Sequence, residues 1–471
     1  IAKIRLPVRT REARSSLGQT LTPERVMTSS LLRVDSEFCC YEATARSANF
    51  VVQLEPPPPP PQRPPANLVL ALDISGSMTP RKLRQAQACM IALAKSLAPT
   101  DRIALVTFNY RVTQWLEPSP VDEQVFARLA DENIPDMGHG LTNIWASVNA
   151  SLDLAGAVGN NARVIFLTDG CPSCGETRTD AILDAVEKKT SSVVLSTLGY
   201  GKDVDPVLLA LMASTGRGDF TYIAKENIPL AAMGSELSAL ISTVATEVEL
   251  EIDTAEDVEV VDKYHRFTFG EDEGKRIVRA RLPDLLDQES RSFPINVRWT
   301  RDRIDGDSLG RVRLRFRNGS SGKTEEHEAD LRLSVDTQRG KCRPALVKTL
   351  LLQDISGHVM NELRHRSGYD APRLLMAKES EVISRAEAAG IEAVPQVQQA
   401  INALARIRWY SENQQMSLHR HSIVACVTAM ARGRCATGGL GYSDEEVTMA
   451  SKSQIRGLSR ILEHYESTET I

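Results

Sequence analysis

Residues 67–78 read Asn67-Leu-Val-Leu-Ala-Leu-Asp73-Ile-Ser75-Gly76-Ser77-Met78. Residues 68–72 are an unbroken apolar run, which is how a strand covered on both faces of a parallel sheet reads. The run stops at Asp73, Ser75 and Ser77 follow at alternate positions, and Pro80 comes soon after. This is a strand, a tight loop carrying three oxygen side chains, and then a helix. Oxygen-only ligands suit a hard divalent cation such as Mg²⁺. One carboxylate and two hydroxyls cannot fill six coordination positions, so other loops must supply the rest.

Outward from this stretch, residues 67–246 alternate strand and helix. Leu83, Ala86, Met90, Leu93 and Leu97 recur at helical spacing. Residues 102–108, 163–168 and 192–198 are further buried strands, and 112–116 is a short run suited to an antiparallel edge. Helices are expected near 121–130, 144–155, 181–188, 206–214 and 228–244. Strands joined by helical crossovers imply a mostly parallel sheet covered on both faces. Ligand sites in such folds lie at the carboxyl ends of the strands, where Asp73 and Asp169 both fall. On the same expected edge, Gly138-His-Gly-Leu-Thr142-Asn opens a helix and offers a hydroxyl. Phe166-Leu-Thr-Asp169-Gly delivers a second carboxylate. Asp73, Ser75, Ser77, Thr142 and Asp169 then form a sparse oxygen cage, with a position left for water or a partner's carboxylate.

The Asp-x-Ser-x-Ser loop, the later Thr142 and the Thr168-Asp169-Gly170 strand end resemble the metal-ion-dependent adhesion site of von Willebrand factor type A (vWA) domains. Three separated segments match in order, over about residues 67–244. The resemblance implies that Asp73, Ser75, Ser77, Thr142 and Asp169 coordinate Mg²⁺ or Mn²⁺, some through water, and that a partner Asp or Glu completes the sphere. The segment 198–213 is similar to the family's next strand and helix. Leu141 departs from the pattern, since many members carry Gly before the Thr.

The flanks have a different character. Residues 1–26 are expected to be a flexible arm, and 27–55 to hold strands. Pro56-Pro-Pro-Pro-Pro-Pro61, with Pro64 and Pro65, makes 56–66 a polyproline spacer between folded parts. Residues 247–337 read as short strands with turn signals at Gly274, Asp305-Gly306-Asp307 and Asn318-Gly319. They form an antiparallel β-sandwich which the strands of 27–55 are expected to join, with the parallel domain inserted between. Residues 338–471 form a helical C-terminal region, interrupted at Gly390 and Pro395, with a Gly-rich loop at 433–441 and a last helix near 451–465. The sandwich and helices resemble those following the vWA domain in plant RING-type vWA proteins and bacterial relatives. No Cys/His spacing for a RING is present, so ligase activity does not carry over.

The chain has 471 residues, enough for two or three cores, and its net charge of −5 gives no electrostatic case for nucleic acid. No run approaches the roughly 20 apolar residues that span a bilayer. Residues 1–14 are basic without an apolar h-region and do not read as a secretory signal. The chain begins with Ile, so a leader ahead of it is left open. Eight dispersed cysteines do not look like a disulfide scaffold, which points to a reducing, cytoplasmic setting. Cys171-Pro-Ser-Cys174 reads as free loop thiols rather than a redox pair or half a zinc site. Cys39-Cys40 are adjacent, which also fits no metal spacing. His139 beside the site, and His419 and His421 near Cys426 and Cys435, read as ordinary side chains before they read as ligands. Arg311, Arg313, Arg315 and Arg317 alternate as a solvated basic stripe.

The leading expectation is a non-enzymatic, Mg²⁺- or Mn²⁺-dependent protein-binding module whose partner supplies the last carboxylate. One alternative is the substrate-recruiting part of a ligase-like or other enzyme, though no nucleophile elbow, P-loop or acid pair supports it. Another is a structural scaffold with a vestigial metal site.

Overall fold

The computed structural model describes residues 31–38, 45–131, 140–159, 161–223, 229–262, 269–271, 277–300, 308–333, 342–365, 371–416 and 419–431. The N-terminal arm, Cys39-Cys40, His139, Cys435, the Gly-rich loop at 433–441 and the expected last helix lie outside them.

Strands β1 (Leu32–Ser36) and β2 (Ser47–Leu54) come first and pair antiparallel. The Pro-rich segment follows and is tied down along its length. Pro58 O accepts from the Ser320 hydroxyl, Arg63 grips Asp101, and Pro65 O accepts from the Asn161 amide. Next come β3 (Asn67–Asp73), α1 (Pro80–Lys95), β4 (Arg102–Phe108), β5 (Val112–Pro120), α2 (Glu123–Leu129) and α3 (Ile144–Val158). They are followed by β6 (Ala162–Thr168), α4 (Thr179–Lys189), β7 (Val193–Tyr200), α5 (Pro206–Thr215), β8 (Arg217–Ile223) and α6 (Pro229–Ser242). The six strands form one sheet in the order β5-β4-β3-β6-β7-β8, parallel except for the β5 edge.

Strand periodicity sorts the side chains of β3 between two cores. Leu68, Leu70 and Leu72 face a cluster with Leu83, Met90 and Leu93 of α1 and Leu237 and Leu240 of α6. Val69 and Ala71 face the opposite cluster, with Ile144, Val148 and Leu152 of α3. From β3 the chain crosses to β4 on one side and later returns to β6 on the other. The carboxyl ends of β3 and β6 therefore form a topological switch point, where crossovers diverge and leave a crevice.

Strand β9 (Thr243–Thr254) continues directly from α6 and opens the second unit. It holds β10 (Val258–Asp262), β11 (Phe269–Glu271), β12 (Ile277–Arg281), β13 (Leu285–Leu286), β14 (Arg291–Trp299), β15 (Ser308–Asn318) and β16 (Thr324–Arg332). One sheet runs β1-β2-β14-β10 and the other β11-β12-β9-β15-β16, with β13 pairing β9. Phe50, Val52 and Leu54 of β2 share a core with Leu250, Ile252, Val312, Leu314 and Phe316. The sandwich is thus built from both sides of the inserted parallel domain, as the sequence pattern implies.

Four helices follow: α7 (Pro344–His365), α8 (Ala371–Ala388), α9 (Pro395–Glu412) and α10 (Arg420–Ala431). Gly390, at φ +65°, turns the chain after α8, and Pro395 starts α9. Leu351 and Ile355 of α7 and Ile423, Val424 and Val427 of α10 join the core cluster that holds α3, α4 and α5. The helical region therefore covers one face of the parallel domain.

The arginine stripe on β15 lies on a solvated face, as expected, and Arg311, Arg313 and Arg317 pair across the strands with carboxylates. Arg313 bridges Glu251 at 2.5 Å and Glu328 at 2.8 Å, Arg311 pairs with Glu328 at 3.3 Å, and Arg317 with Glu247 at 3.9 Å.

Candidate metal centre

All five residues singled out from sequence lie at the switch point. Asp73 ends β3, and its Oδ1 accepts from the Ser75 amide at 2.8 Å. This turns the loop so that the Ser75 and Ser77 hydroxyls face each other at 3.2 Å. The Ser77 hydroxyl donates to Asp169 Oδ1 at 2.6 Å, which links the β3 loop to the end of β6. Thr142 approaches from the loop before α3. Its amide donates to the Ser173 hydroxyl at 2.8 Å, and its carbonyl accepts from the Ser173 amide at 3.0 Å. The Asn143 side chain caps α3 by accepting from the Ala146 amide at 3.0 Å. A Cβ added at Gly170 would lie 3.0 Å from the Thr142 hydroxyl oxygen and 3.6 Å from that of Ser77. Both hydroxyls therefore flank one spot beside Asp169.

The loop carrying Thr142 is held by backbone contacts. The Gly76 amide donates to Gly140 O at 3.2 Å, and the Asn143 amide to Asn109 O at 2.9 Å. Gly140 sits at φ +91°, and a side chain there would meet the Tyr110 ring at 2.5 Å, so only glycine fits. Leu141, the departure from the family pattern, points outward at 53% exposure and leaves Thr142 buried.

Two carboxylates with no solvent exposure, Asp73 and Asp169, meet at this point. Burial pushes Asp73 up to about 6; hydrogen bonds from Thr168 and Ser75 oppose that rise, and the nearby Asp169 charge adds to it. Two residues that hold the site's carboxylates were not among the five expected ligands. Thr168 donates from Oγ1 to Asp73 Oδ2. The register Leu72↔Leu167 brings Thr168 opposite Asp73, so the pairing depends on β3 lying beside β6. Lys82 of α1 reaches Asp169 Oδ2 at 2.5 Å and Ser77 O at 3.3 Å. Helical spacing alone gives no sign that Lys82 points back toward the loop.

The donors fit a divalent cation on chemical grounds. They are all oxygens, and two buried carboxylates face one ammonium, which leaves net negative charge in a dry place. Among the described residues, no three His, Cys, Asp or Glu side chains cluster to hold a metal. Binding at the switch point must therefore draw on the hydroxyls of Ser75, Ser77 and Thr142.

Cys171 and Cys174 are free, and burial raises both thiols above their ordinary range, which disfavours reactive thiolate. His421 bonds Val204 O at 3.0 Å and stacks on Tyr222, while His419 stacks on Tyr410.

A six-stranded sheet of this order, with Asp-x-Ser-x-Ser, Thr and Asp at its switch point, defines a vWA domain, a module that mediates protein–protein contacts and often carries Mg²⁺ or Mn²⁺. Residues 67–231 match the family model described as von Willebrand factor type A domain, and the chain is a vWA-domain protein. Inter-alpha-trypsin inhibitor heavy chain H4 of Homo sapiens is 28% identical over 239 residues, which is 47% of this chain and 25% of that protein. The uncharacterized protein YfbK of Escherichia coli is 28% identical over 196 residues, 40% of this chain and 34% of that one. The chain thus spans about a quarter to a third of the length of these relatives. The fold is shared with the von Willebrand factor type A protein from Catenulispora acidiphila, at TM-score 0.61 and 16% identity, covering 81% of this chain and 91% of that one. It is also shared with the ArnB paralog VWA2 from Sulfolobus acidocaldarius, at TM-score 0.55 and 13% identity, covering 80% and 97%.

The cytoplasmic expectation is overturned by these relatives. The inter-alpha-trypsin inhibitor heavy chains of human, mouse and hamster among its relatives are secreted proteins and point to an extracellular setting. The physical reason for the error is plain: the spacing of cysteines bears on whether disulfides brace a fold, not on where it works. Among the described residues, no helix is long and apolar enough to cross a membrane.

Proposed function

We propose that this chain is a non-enzymatic, divalent-metal-dependent protein-binding module. Asp73, Ser75, Ser77, Thr142 and Asp169 hold Mg²⁺ or Mn²⁺, and an Asp or Glu of the partner supplies the remaining ligand. The observation that carries this reading is the meeting of two fully buried carboxylates with three hydroxyls at the open end of β3 and β6. The bound cation would supply positive charge toward the partner, and the chain's own residues fix where that charge sits.

The surroundings support a protein partner. Tyr110, Leu141 and Trp145, at 49%, 53% and 39% exposure, project from the loops and first helical turn beside Thr142. Exposed bulky side chains near a charged site are what a partner residue next to an Asp or Glu can cover. The test is affinity capture in Mg²⁺ with elution by EDTA, using wild type and Asp73→Ala. Elution of a partner from wild type alone is expected. Equal metal binding by both proteins, or a partner that stays bound in EDTA, would end this reading.

A further inference from the structure

Lys82 lies in the first turn of α1, three residues after the Thr79 cap and two after Pro80. A cation there is misplaced with respect to the helix, whose N-terminal end carries partial positive charge and favours anions. The first turn holds no acidic residue to offset it. The ammonium folds back to Asp169 Oδ2 at 2.5 Å, with the Ser77 carbonyl at 3.3 Å and the Tyr200 ring below it at 5.6 Å. Its side chain keeps 18% of its exposure, while the Asp169 side chain keeps none. The other oxygen of the same carboxylate takes the Ser77 hydroxyl. Asp169 is thus shared between a proposed metal ligand and a fixed monovalent cation.

We propose that Lys82 is a built-in competitor for the divalent ion: its ammonium neutralises Asp169 and sets how much Mg²⁺ or Mn²⁺ the site needs before it fills. This rests on the metal-binding reading above. The charge count carries the sign. With Lys82 the two carboxylates and one ammonium leave a single negative charge, and without it the site has two. Like charges held within a few ångströms in a poorly screened place repel strongly, so the ammonium opposes an incoming divalent ion. A partner carboxylate would feel the reverse effect, because Lys82 adds positive charge beside the ion it binds.

The experiment is Mn²⁺ titration of the full chain, read by the EPR signal of free Mn²⁺, for wild type, Lys82→Gln, Lys82→Arg and Asp73→Ala. Lys82→Gln is expected to bind Mn²⁺ about tenfold tighter or more, Lys82→Arg to stay near wild type, and Asp73→Ala to lose binding. A second readout is melting temperature in EDTA. Lys82→Gln should melt lower than wild type, because Asp169 is left buried and unpaired, and saturating Mn²⁺ should close the gap. Wild type that binds Mn²⁺ while Lys82→Gln binds it equally or more weakly would overturn the proposal and leave the metal site standing. Lysine would then be a residue that positions Asp169. Absence of Mn²⁺ binding in both wild type and Lys82→Gln would overturn the metal reading and this inference together.

Discussion

Replacing Asp73 by Asn should have two opposite effects that separate its roles. The shape is preserved. Asn keeps an oxygen to accept from the Ser75 amide, and its amide can donate to Thr168, whose hydroxyl can turn toward Gly170 O, 3.5 Å away. What changes is charge. In the metal-free protein the Asp73 carboxyl is raised from 3.8 to about 6, chiefly by burial. A carboxyl raised on folding favours the native state below its unfolded value, and that benefit is lost as pH rises through about 6. At pH 7 the ionised group therefore destabilises the fold, by up to about 3 kcal/mol at 1.36 kcal/mol per unit. Asn resembles the neutral form, so in EDTA at pH 7 the variant should melt higher than wild type, by up to roughly 6–12 °C. Divalent ion acts the other way. At free Mn²⁺ about 100 times its dissociation constant, wild type should gain about 2.7 kcal/mol, and the variant almost nothing. Differential scanning calorimetry in EDTA and in Mn²⁺ reads both effects. A lower melting point for Asp73→Asn in EDTA would refute the claim that the buried charge lacks compensation. An unchanged Mn²⁺ increment would remove Asp73 from the metal set.

Three further outcomes follow from particular contacts. Asp101 is buried; burial pushes its carboxyl up, but hydrogen bonds from Arg63 and from the Ala66 and Ala98 amides outweigh this and hold it below its ordinary value. Asp101→Asn should cost about 2–4 kcal/mol near neutral pH. That loss should begin to shrink as pH falls below about 4, where the unfolded chain takes up the proton, and should close as pH falls through the lower native value; denaturation that shows the same gap at pH 3 would contradict the assignment. Gly170→Ala should weaken Mn²⁺ binding by about tenfold or more, because the new methyl group crowds the Thr142 hydroxyl at 3.0 Å. An unchanged dissociation constant by calorimetric titration would argue against Thr142 as a ligand. Phe50→Ala should destabilise the sandwich by about 3–5 kcal/mol in chemical denaturation, since Phe50 has no solvent exposure in the shared core. A loss under about 1 kcal/mol would mean that β2 contributes little to that core.

Much of the architecture is legible before any coordinates. The apolar run of β3 and the helical spacing of Leu83, Met90 and Leu93 place strand and helix where the structure has them, because burial on both faces leaves a continuous hydrophobic signature. The antiparallel edge at β5 and the breaks at Gly390 and Pro395 follow from local rules as well. The arginine stripe keeps its solvated face, but its carboxylate partners were hidden from the sequence for a defined reason. Alternation shows which face a side chain takes but not what lies across the strand, and here the neighbours are Glu251 and Glu328. Compartment was misjudged because cysteine usage reports on stabilisation by disulfides alone.

At the centre of the molecule the division is clear. The sequence by itself determined the five oxygen-bearing residues and their order, because strand ends and Gly-bounded loops carry local signatures. Tertiary structure alone decided what those residues experience. Seating β6 beside β3 sets Thr168 against Asp73, and the return of α1 over the sheet delivers Lys82 to Asp169. Charge balance in a buried site depends on which groups come within a few ångströms, and residues 82 and 169 are neighbours only once the sheet has formed.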